Sequence, residues 1–559
     1  MKKQLLALLL ILVLLLSACG SAATEVPARQ THEAKAPSAS DNAAPDEPAE
    51  EQAVQTPAAP DEEPSAAPGA PEIVILSVSD NRYDNALNVS FGTASASLLY
   101  CGNRLGGADY RSVADDADYP ALAAALRAYS EETEARLRET LDSLEEYARG
   151  DYQYGNYPGA FDYNMVYTSQ SKAWLVRADD TLVSFCVESY WNAGGAHPYT
   201  SHTGLNFDSR TGQQLAITDL LTEEGAKRFP ELFEKALAEQ YPYFMDGLLV
   251  ESVPDAIRGE MDDGLLYFTV DEDGVTVMIN PYDLAAYAAG PAFVRMFFSD
   301  YPGVFVPAYS AAHDEWVRQL RPQGESDYYS ELNTLRYKNG VKQRELSVVY
   351  TPVDYHSGAA GSLAVKLDGA EWKTEDIYCF GVTPYLMRAE GRDLLYLEYS
   401  LPNDWNSLYI FDLSGDAPHL LDEIPEAFYS QIPTDPHGFW LSTRSYCMST
   451  YTVMRLYSVS ERGEASPLDE LYTALRGPQL TLLQDMNMTL LTADGGERSV
   501  KVPAGEKLTI FRTDNRQIVD LISEKGEIYR VSYTRDADYM GEVNGVPLQE
   551  AFGGTFFAG

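Results

Sequence analysis

Between Gly20 and Glu72 the chain has almost no large apolar side chain, and this one stretch decides where folding can begin. Ala, Pro, Glu and Asp dominate it, with eleven acidic residues set against Arg29 and Lys35. Such a segment cannot bury enough surface to offset the entropy of ordering its backbone. It is expected to stay disordered, kept extended by proline and by its own charge repulsion. Packed cores are therefore expected only from Ile73 onward. What remains of the 559 residues exceeds one core, because single cores stop growing near roughly 250–300 residues.

Ahead of the acidic tract, Lys2 and Lys3 precede an apolar run from Leu5 to Leu16. The run is too short and wrongly flanked for a transmembrane helix and has the form of a signal peptide. It ends in Leu16-Ser17-Ala18-Cys19-Gly20, which resembles the lipobox of bacterial lipoproteins. That resemblance implies cleavage before Cys19 and lipidation of its thiol with diacylglycerol, the acyl chains (palmitate among them) acting as the anchor. Residues 1–19 are then a signal peptide and 20–72 a tether. The body is placed at the extracytoplasmic face of the cell membrane. Cys101, Cys186, Cys379 and Cys447 would sit in an oxidising compartment, where four cysteines allow three connectivities. The domain boundaries favour Cys101–Cys186 and Cys379–Cys447, with free buried thiols as the alternative. None of the cysteines has metal-ligand spacing.

The chain carries 84 acidic and 41 basic residues, a formal charge of −43. Phosphate binding needs a basic footprint, so a nucleic-acid partner is excluded. A basic protein would be drawn to this surface.

From Ile73 the pattern mixes strands with two long helices. Ile73-Val74-Ile75-Leu76 opens a strand. Tyr119 to Arg149 reads as a helix, with Pro120 suited to its first turn. Strands follow at Tyr163–Tyr167, Ala173–Val176 and Thr181–Tyr190, and a second helix fits Glu223 to Gln240. Leu265–Val270 and Val275–Ile279 flank Asp271-Glu272-Asp273-Gly274 as a hairpin, the acidic tetrapeptide being its turn and not a calcium loop. Residues 73–320 are thus expected to form an α+β ectodomain. Beyond Arg321 helical signals become scarce and short strands recur, at Glu345–Tyr350, Asp393–Tyr399 and Ser407–Phe411. Residues 321–498 are expected to be all-β, an irregular propeller or a sandwich, and 499–559 a small SH3-like barrel.

The most distinctive motif is Tyr190-Trp191-Asn192-Ala193-Gly194-Gly195-Ala196-His197-Pro198-Tyr199, followed by Asn206, Asp208 and Thr211-Gly212. Two glycines beside a histidine and three aromatics make a recognition surface. This block, with Phe268-Thr269-Val270 and Asn280-Pro281-Tyr282-Asp283-Leu284-Ala285-Ala286-Tyr287-Ala288-Ala289-Gly290-Pro291, resembles the extracellular domain family of the anti-sigma factor RsiV (domain of unknown function 3298, with a preceding 4163-type region). The resemblance covers about residues 73–306. It implies an α+β ectodomain in an envelope setting, with lysozyme binding as one property of the family. The chain departs from the family's architectures, because only the signal peptide precedes Cys19 and no deacetylase domain is present. Asp262-Asp263-Gly264 is read as a turn, with no His-x-x-x-His pair to accompany it.

No Gly-x-Ser-x-Gly elbow, His-Glu-x-x-His helix or Walker loop occurs, and the seven histidines are scattered, His197 and His202 being five apart. The chain is therefore expected to be a non-catalytic binding protein without cofactor or metal. Its candidate contact residues are Trp191, Asn192, Gly194, Gly195, His197, Tyr199, Tyr282 and Tyr287. Its partner is expected to be a basic protein such as lysozyme, or cell-wall glycan. The competing readings are a cell-wall hydrolase using carboxylates and a scaffold for other envelope proteins.

Overall fold

The computed structural model describes residues 69–559 apart from 88, 105–111, 155–166, 195–196, 312, 322, 325–333, 341, 352–360, 378–380, 401–405, 429–431, 536–540 and 559. The signal peptide, Cys19 and residues 20–68 of the tether lie outside the described residues, as do Gly195, Cys379 and residues 163–166 of the strand expected at Tyr163–Tyr167. The last four residues of the expected disordered tether, 69–72, are instead held on the fold, Gly69 O accepting from Tyr119 Oη at 2.5 Å and Glu72 O from Gly102 N at 2.8 Å. No helix among the described residues is long and apolar enough to cross a membrane.

Strands β1 (Ile73–Asp84) and β2 (Val89–Arg104) form a long antiparallel hairpin, Ile73 facing Cys101 and Asp84 facing Val89. After β3 (Val113–Asp115), the chain enters α1 (Pro120–Gln153) and returns as β4 (Thr168–Ala178), parallel to β2. β5 (Leu182–Asn192) and β6 (Tyr199–Asp208) complete the order β1-β2-β4-β5-β6. α1 begins at Pro120, whose missing N–H costs nothing in a first turn. It buries Leu122, Leu126, Leu141, Leu144 and Ala148. Ser130 pins it to β2, its hydroxyl donating to Leu99 O at 2.7 Å and accepting from Leu99 N at 2.8 Å.

A second layer holds α2 (Glu223–Gln240), α3 (Val253–Asp262) and the antiparallel strands β7 (Phe268–Val270), β8 (Gly274–Ile279) and β9 (Ala292–Phe297). α2 starts where the pattern placed it, because Thr222 Oγ1 accepts from Gly225 N at 2.9 Å and Glu223 and Glu224 complement the helix dipole. Its apolar stripe, Phe229, Phe233 and Leu237, packs with Ile257, Val270, Val277 and Val294. The layer docks on the first sheet at β6. Gly204 lies so close to β7 that a Cβ there would meet Phe268 O at 1.6 Å. Asn206 Nδ2 donates to that same carbonyl at 2.9 Å.

The rest of the chain is built from β-sheets. β10 (Trp316–Gln319) lies before residue 320, yet it pairs with a strand from the later half. β11 (Gln323–Gly324), β12 (Leu335–Asn339), β13 (Lys342–Thr351), β14 (Gly361–Leu367) and β15 (Ala370–Ile377) form one sheet. β16 (Gly381–Ala389), β17 (Arg392–Ser400), β18 (Asn406–Asp412) and β19 (His419–Ile424) form the next, with β10 at its edge. A 14-stranded sheet runs from Ala427–Phe428 to Phe552–Gly553. Residues 498 and 499 are neighbours within one of its strands, Glu497–Val502. The chain is mostly β with a few helices and several sheets, and its amino-terminal part is α+β. One core joins both parts: Leu122, Leu126, Leu175 and Phe185 pack in one cluster with Val317, Tyr396, Ile410 and Phe439.

The two expected disulfides are corrected by the geometry. Cys101 and Cys186 are free thiols. β4 lies between their strands, and Cys101 shares a core with Phe185 and Val187 while Cys186, one residue out of phase, touches Met278 Sδ at 3.9 Å. The two thiols therefore sit on opposite faces of one sheet, which no disulfide can bridge. Cys447 is also a free, buried thiol, and its expected partner Cys379 is outside the described residues.

Candidate functional site

Most of the aromatic motif residues meet at one end of β5 and β6, but they divide into two jobs. Trp191, half-buried, packs against Val89, Phe91, Leu144, Ala148 and Tyr167 and holds the sheet to α1. Asn192 shapes the turn, its Oδ1 accepting from Gly194 N at 3.2 Å. Gly194 has φ +83°, and a Cβ there would meet Tyr167 Oη at 3.1 Å and Asp151 Oδ2 at 3.2 Å. The backbone conformation thus favours glycine, and a side chain there would press on the Tyr167–Asp151 pair.

His197 and the tyrosines face outward. The His197 ring stacks on Tyr287 with centroids 4.0 Å apart and an interplanar angle of 27°. The stack is fixed from below by one carbonyl. Pro198 O accepts from Tyr287 Oη at 3.0 Å and lies 3.0 Å from His197 Nδ1, which defines the nitrogen carrying the proton. Tyr282 extends the stack, its centroid 5.8 Å from that of Tyr287, and is 53% exposed at φ +76°. That conformation belongs to the tight turn in which Tyr282 N donates to Ala285 O at 3.0 Å.

Beside this stack lie Tyr199, Tyr267 and Asp283. Burial raises the Tyr199 hydroxyl above the usual tyrosine range, and Asp283, Tyr267 and Tyr282 add to the rise. Burial likewise raises Tyr267, with Asp283 and Glu260 next. Burial also raises Asp283, opposed by its hydrogen bond from Asn280 N at 2.8 Å. Asn280 anchors the whole turn to β6, accepting from His202 N at 2.6 Å and donating to His202 O at 3.1 Å. The motif alone does not single out Tyr267 or Asp283 as contact residues. Tyr267 had a legible signal: Leu265 and Tyr267 are exposed while Leu266 and Phe268 are buried, a strand alternation with an aromatic on the wet side.

His197 and His202 do not converge. His202 is buried, with Nε2 3.0 Å from Glu188 Oε2, whereas His197 lies on the surface. The acidic hairpin turn is a turn, as expected, yet it is not a solvated one. Asp271 and Glu272 are buried, and Arg295 grips Asp271 through two hydrogen bonds of 2.5 and 2.6 Å. Arg318 also pairs with Asp271, and Arg295 with Asp273. Arg177, fully buried, donates to Asp179 at 2.5 Å, to Tyr309 O at 2.8 Å and to Asp271 O at 3.3 Å. Burial pushes the Glu272 carboxyl up to about 7 against the pull of Arg318.

No protein-family model matches the chain, and no curated protein matches it. Solved structures similar to it include a member of the DUF3298 family from Bacteroides fragilis NCTC 9343, at 19% identity and a TM-score of 0.31, with 43% of this chain and 94% of that one covered. A DUF3298 family protein from Pseudomonas aeruginosa PAO1 is similar at 18% identity and a TM-score of 0.29, with 43% of this chain and 97% of that one covered.

Proposed function

We propose that this chain is a lipid-anchored binding protein of the bacterial envelope that engages its partner through the surface formed by His197, Tyr199, Tyr267, Tyr282 and Tyr287. The observation carrying the reading is the outward stack of His197, Tyr287 and Tyr282, held in place by Pro198 O and the Asn280 anchor. Rigid aromatic rings bind sugars and protein surfaces at little entropic cost, because few rotatable bonds are frozen. Asp283 and Glu260 beside the rings, on a chain of net charge −43, favour a basic partner. The motif resemblance to RsiV-type ectodomains and the lipobox at Cys19 support the same setting, and make lysozyme and cell-wall glycan the partners to test first. Within this reading, the meanders β12–β15 and β16–β19 are blade-like spacers.

The test is calorimetry of the full chain with lysozyme and with soluble peptidoglycan fragments, at low and at physiological salt. Charge attraction alone fades with salt. Saturable binding that survives physiological salt and is lost in Tyr287→Ala supports the proposal. Loss of all binding to both ligands at physiological salt removes it.

A further inference from the structure

Glu315, Glu390 and His437 bring one ligand atom each to within 4.8 Å of one another. Glu315 stands just before β10, Glu390 in the turn joining β16 to β17, and His437 in the turn that leads into the strand Phe439–Ser445. Only the fold joins them, since Glu390 and His437 lie 75 and 122 positions beyond Glu315. Each is held in place. Glu390 N donates to Glu315 Oε1 at 3.2 Å, His437 N donates to Asp435 Oδ1 at 2.8 Å, and His437 Nε2 lies 2.7 Å from Glu315 Oε2.

The other ring nitrogen decides what Nε2 can do. Ser458 Oγ donates to Val459 O at 3.2 Å, so it accepts from His437 Nδ1–H, 3.4 Å away. A neutral His437 therefore turns the bare lone pair of Nε2 toward a carboxylate, a contact that requires a proton or a metal ion between them. Metal-binding histidines are presented in this way, with the opposite N–H bonded outward. A proton alone leaves a charge over, because two carboxylates share the one imidazole and no Lys or Arg among the described residues pairs with either. Lys338 and Arg388, the cations of the adjoining cavity, are engaged by Asp300 and Asp393. Glu315 lines two cavities, of about 1160 and 250 Å³, and the side chains of Glu315 and His437 are each 39% exposed. Solvent thus reaches the cluster, and an ion there keeps room for water.

We propose that Glu315, Glu390 and His437 bind a divalent cation of the zinc type, with water in its remaining positions. Ligand atoms about 2.0–2.2 Å from such an ion stand roughly 3–4 Å apart, a spacing these partly exposed side chains reach by small rotations. One imidazole beside two carboxylates suits zinc better than calcium or magnesium, which take oxygen ligands. Two carboxylates and a neutral imidazole also balance its double charge.

The experiment strips the full chain with a chelator and titrates it with zinc, calcium and magnesium chlorides by calorimetry, at neutral pH and physiological salt. Cobalt(II) is added separately, and its visible absorption is followed as zinc displaces it. One tight class of zinc site is expected, with calcium and magnesium at least about tenfold weaker. His437→Gln and Glu390→Gln are expected to weaken zinc binding about tenfold or more and to abolish the displaceable cobalt bands, at unchanged melting temperature without metal. Ser458→Ala touches no ion and is expected to weaken zinc roughly tenfold by freeing the His437 ring. His419→Gln, an exposed histidine on β19, is expected to change nothing. Absence of saturable zinc binding, zinc binding unaltered in both His437→Gln and Glu390→Gln, or calcium or magnesium bound as tightly as zinc overturns the proposal.

Discussion

Replacing Glu398 with Gln is expected to stabilise the protein above neutral pH and to do nothing comparable in mild acid. Glu398 sits on β17, largely buried, where its Oε2 accepts from Phe428 N at 2.9 Å. Burial pushes its carboxyl up from 4.5 to about 7, and the Phe428 N–H opposes the rise only in part. Below about pH 4.5 the carboxyl is protonated in folded and unfolded chains alike, and costs nothing. As pH rises from there through about 7, the unfolded chain releases its proton first and the folded state loses stability. A tenfold change in proton affinity is worth about 1.4 kcal/mol, so the loss reaches at most about 3 kcal/mol at about pH 8. Gln keeps an oxygen for Phe428 N–H but cannot ionise. Urea titrations of both proteins at several pH values between about 5 and 8 read the difference directly. Any fixed penalty from the amide cancels between pH values, as does the general repulsion of a chain this acidic. A stability difference between Glu398→Gln and the parent that stays flat across that range refutes a burial-raised carboxyl at this position.

Other perturbations have equally definite expectations. Gly204→Ala forces a Cβ into Phe268 O and should cost at least about 1–3 kcal/mol, seen as a lowered melting temperature; an unchanged melting temperature would contradict the close docking of β6 on β7. Thr222→Ala removes the cap of α2 and a hydrogen bond to Gly303 O at 2.8 Å, and should cost about 1–2 kcal/mol, largely restored by Ser. Burial raises the thiols of Cys101, Cys186 (to about 12) and Cys447, so these three should resist thiol reagents at neutral pH in the native chain and react without reductant once it is unfolded. Thiols at those positions that appear only after reduction would contradict the free state. Tyr282→Ala should leave the stability within about 0.5 kcal/mol of the parent, its ring being half in solvent, while weakening partner binding.

The elements that the sequence determined are those with local causes. Pro120 and a run of Ala, Leu, Arg and Glu define α1, and the Thr222 cap and its acidic first turn define α2 to the residue. The hairpin around Asp271–Gly274 follows from alternation on either side of a turn tetrapeptide. The Gly194, His197, Tyr282 and Tyr287 block was legible for the same reason, since a stretch dense in glycine and aromatics has few uses in a core. Tertiary structure alone decided how those pieces meet. Whether Cys101 and Cys186 pair depends on which strand separates theirs and on which face each lies, and strand order is set by crossovers that periodicity does not encode. Three carboxylates at a hairpin tip look solvated in sequence. They are drawn inward because Arg177, Arg295 and Arg318 arrive from β4, β9 and β10, strands joined only by the fold. Trp191 divides from His197 in the same way, since α1 covers one and leaves the other in water. Hydrogen-bond periodicity and turn chemistry act over a few residues and can be read along the chain, whereas burial and charge pairing act through space and exist only once the sheets have packed.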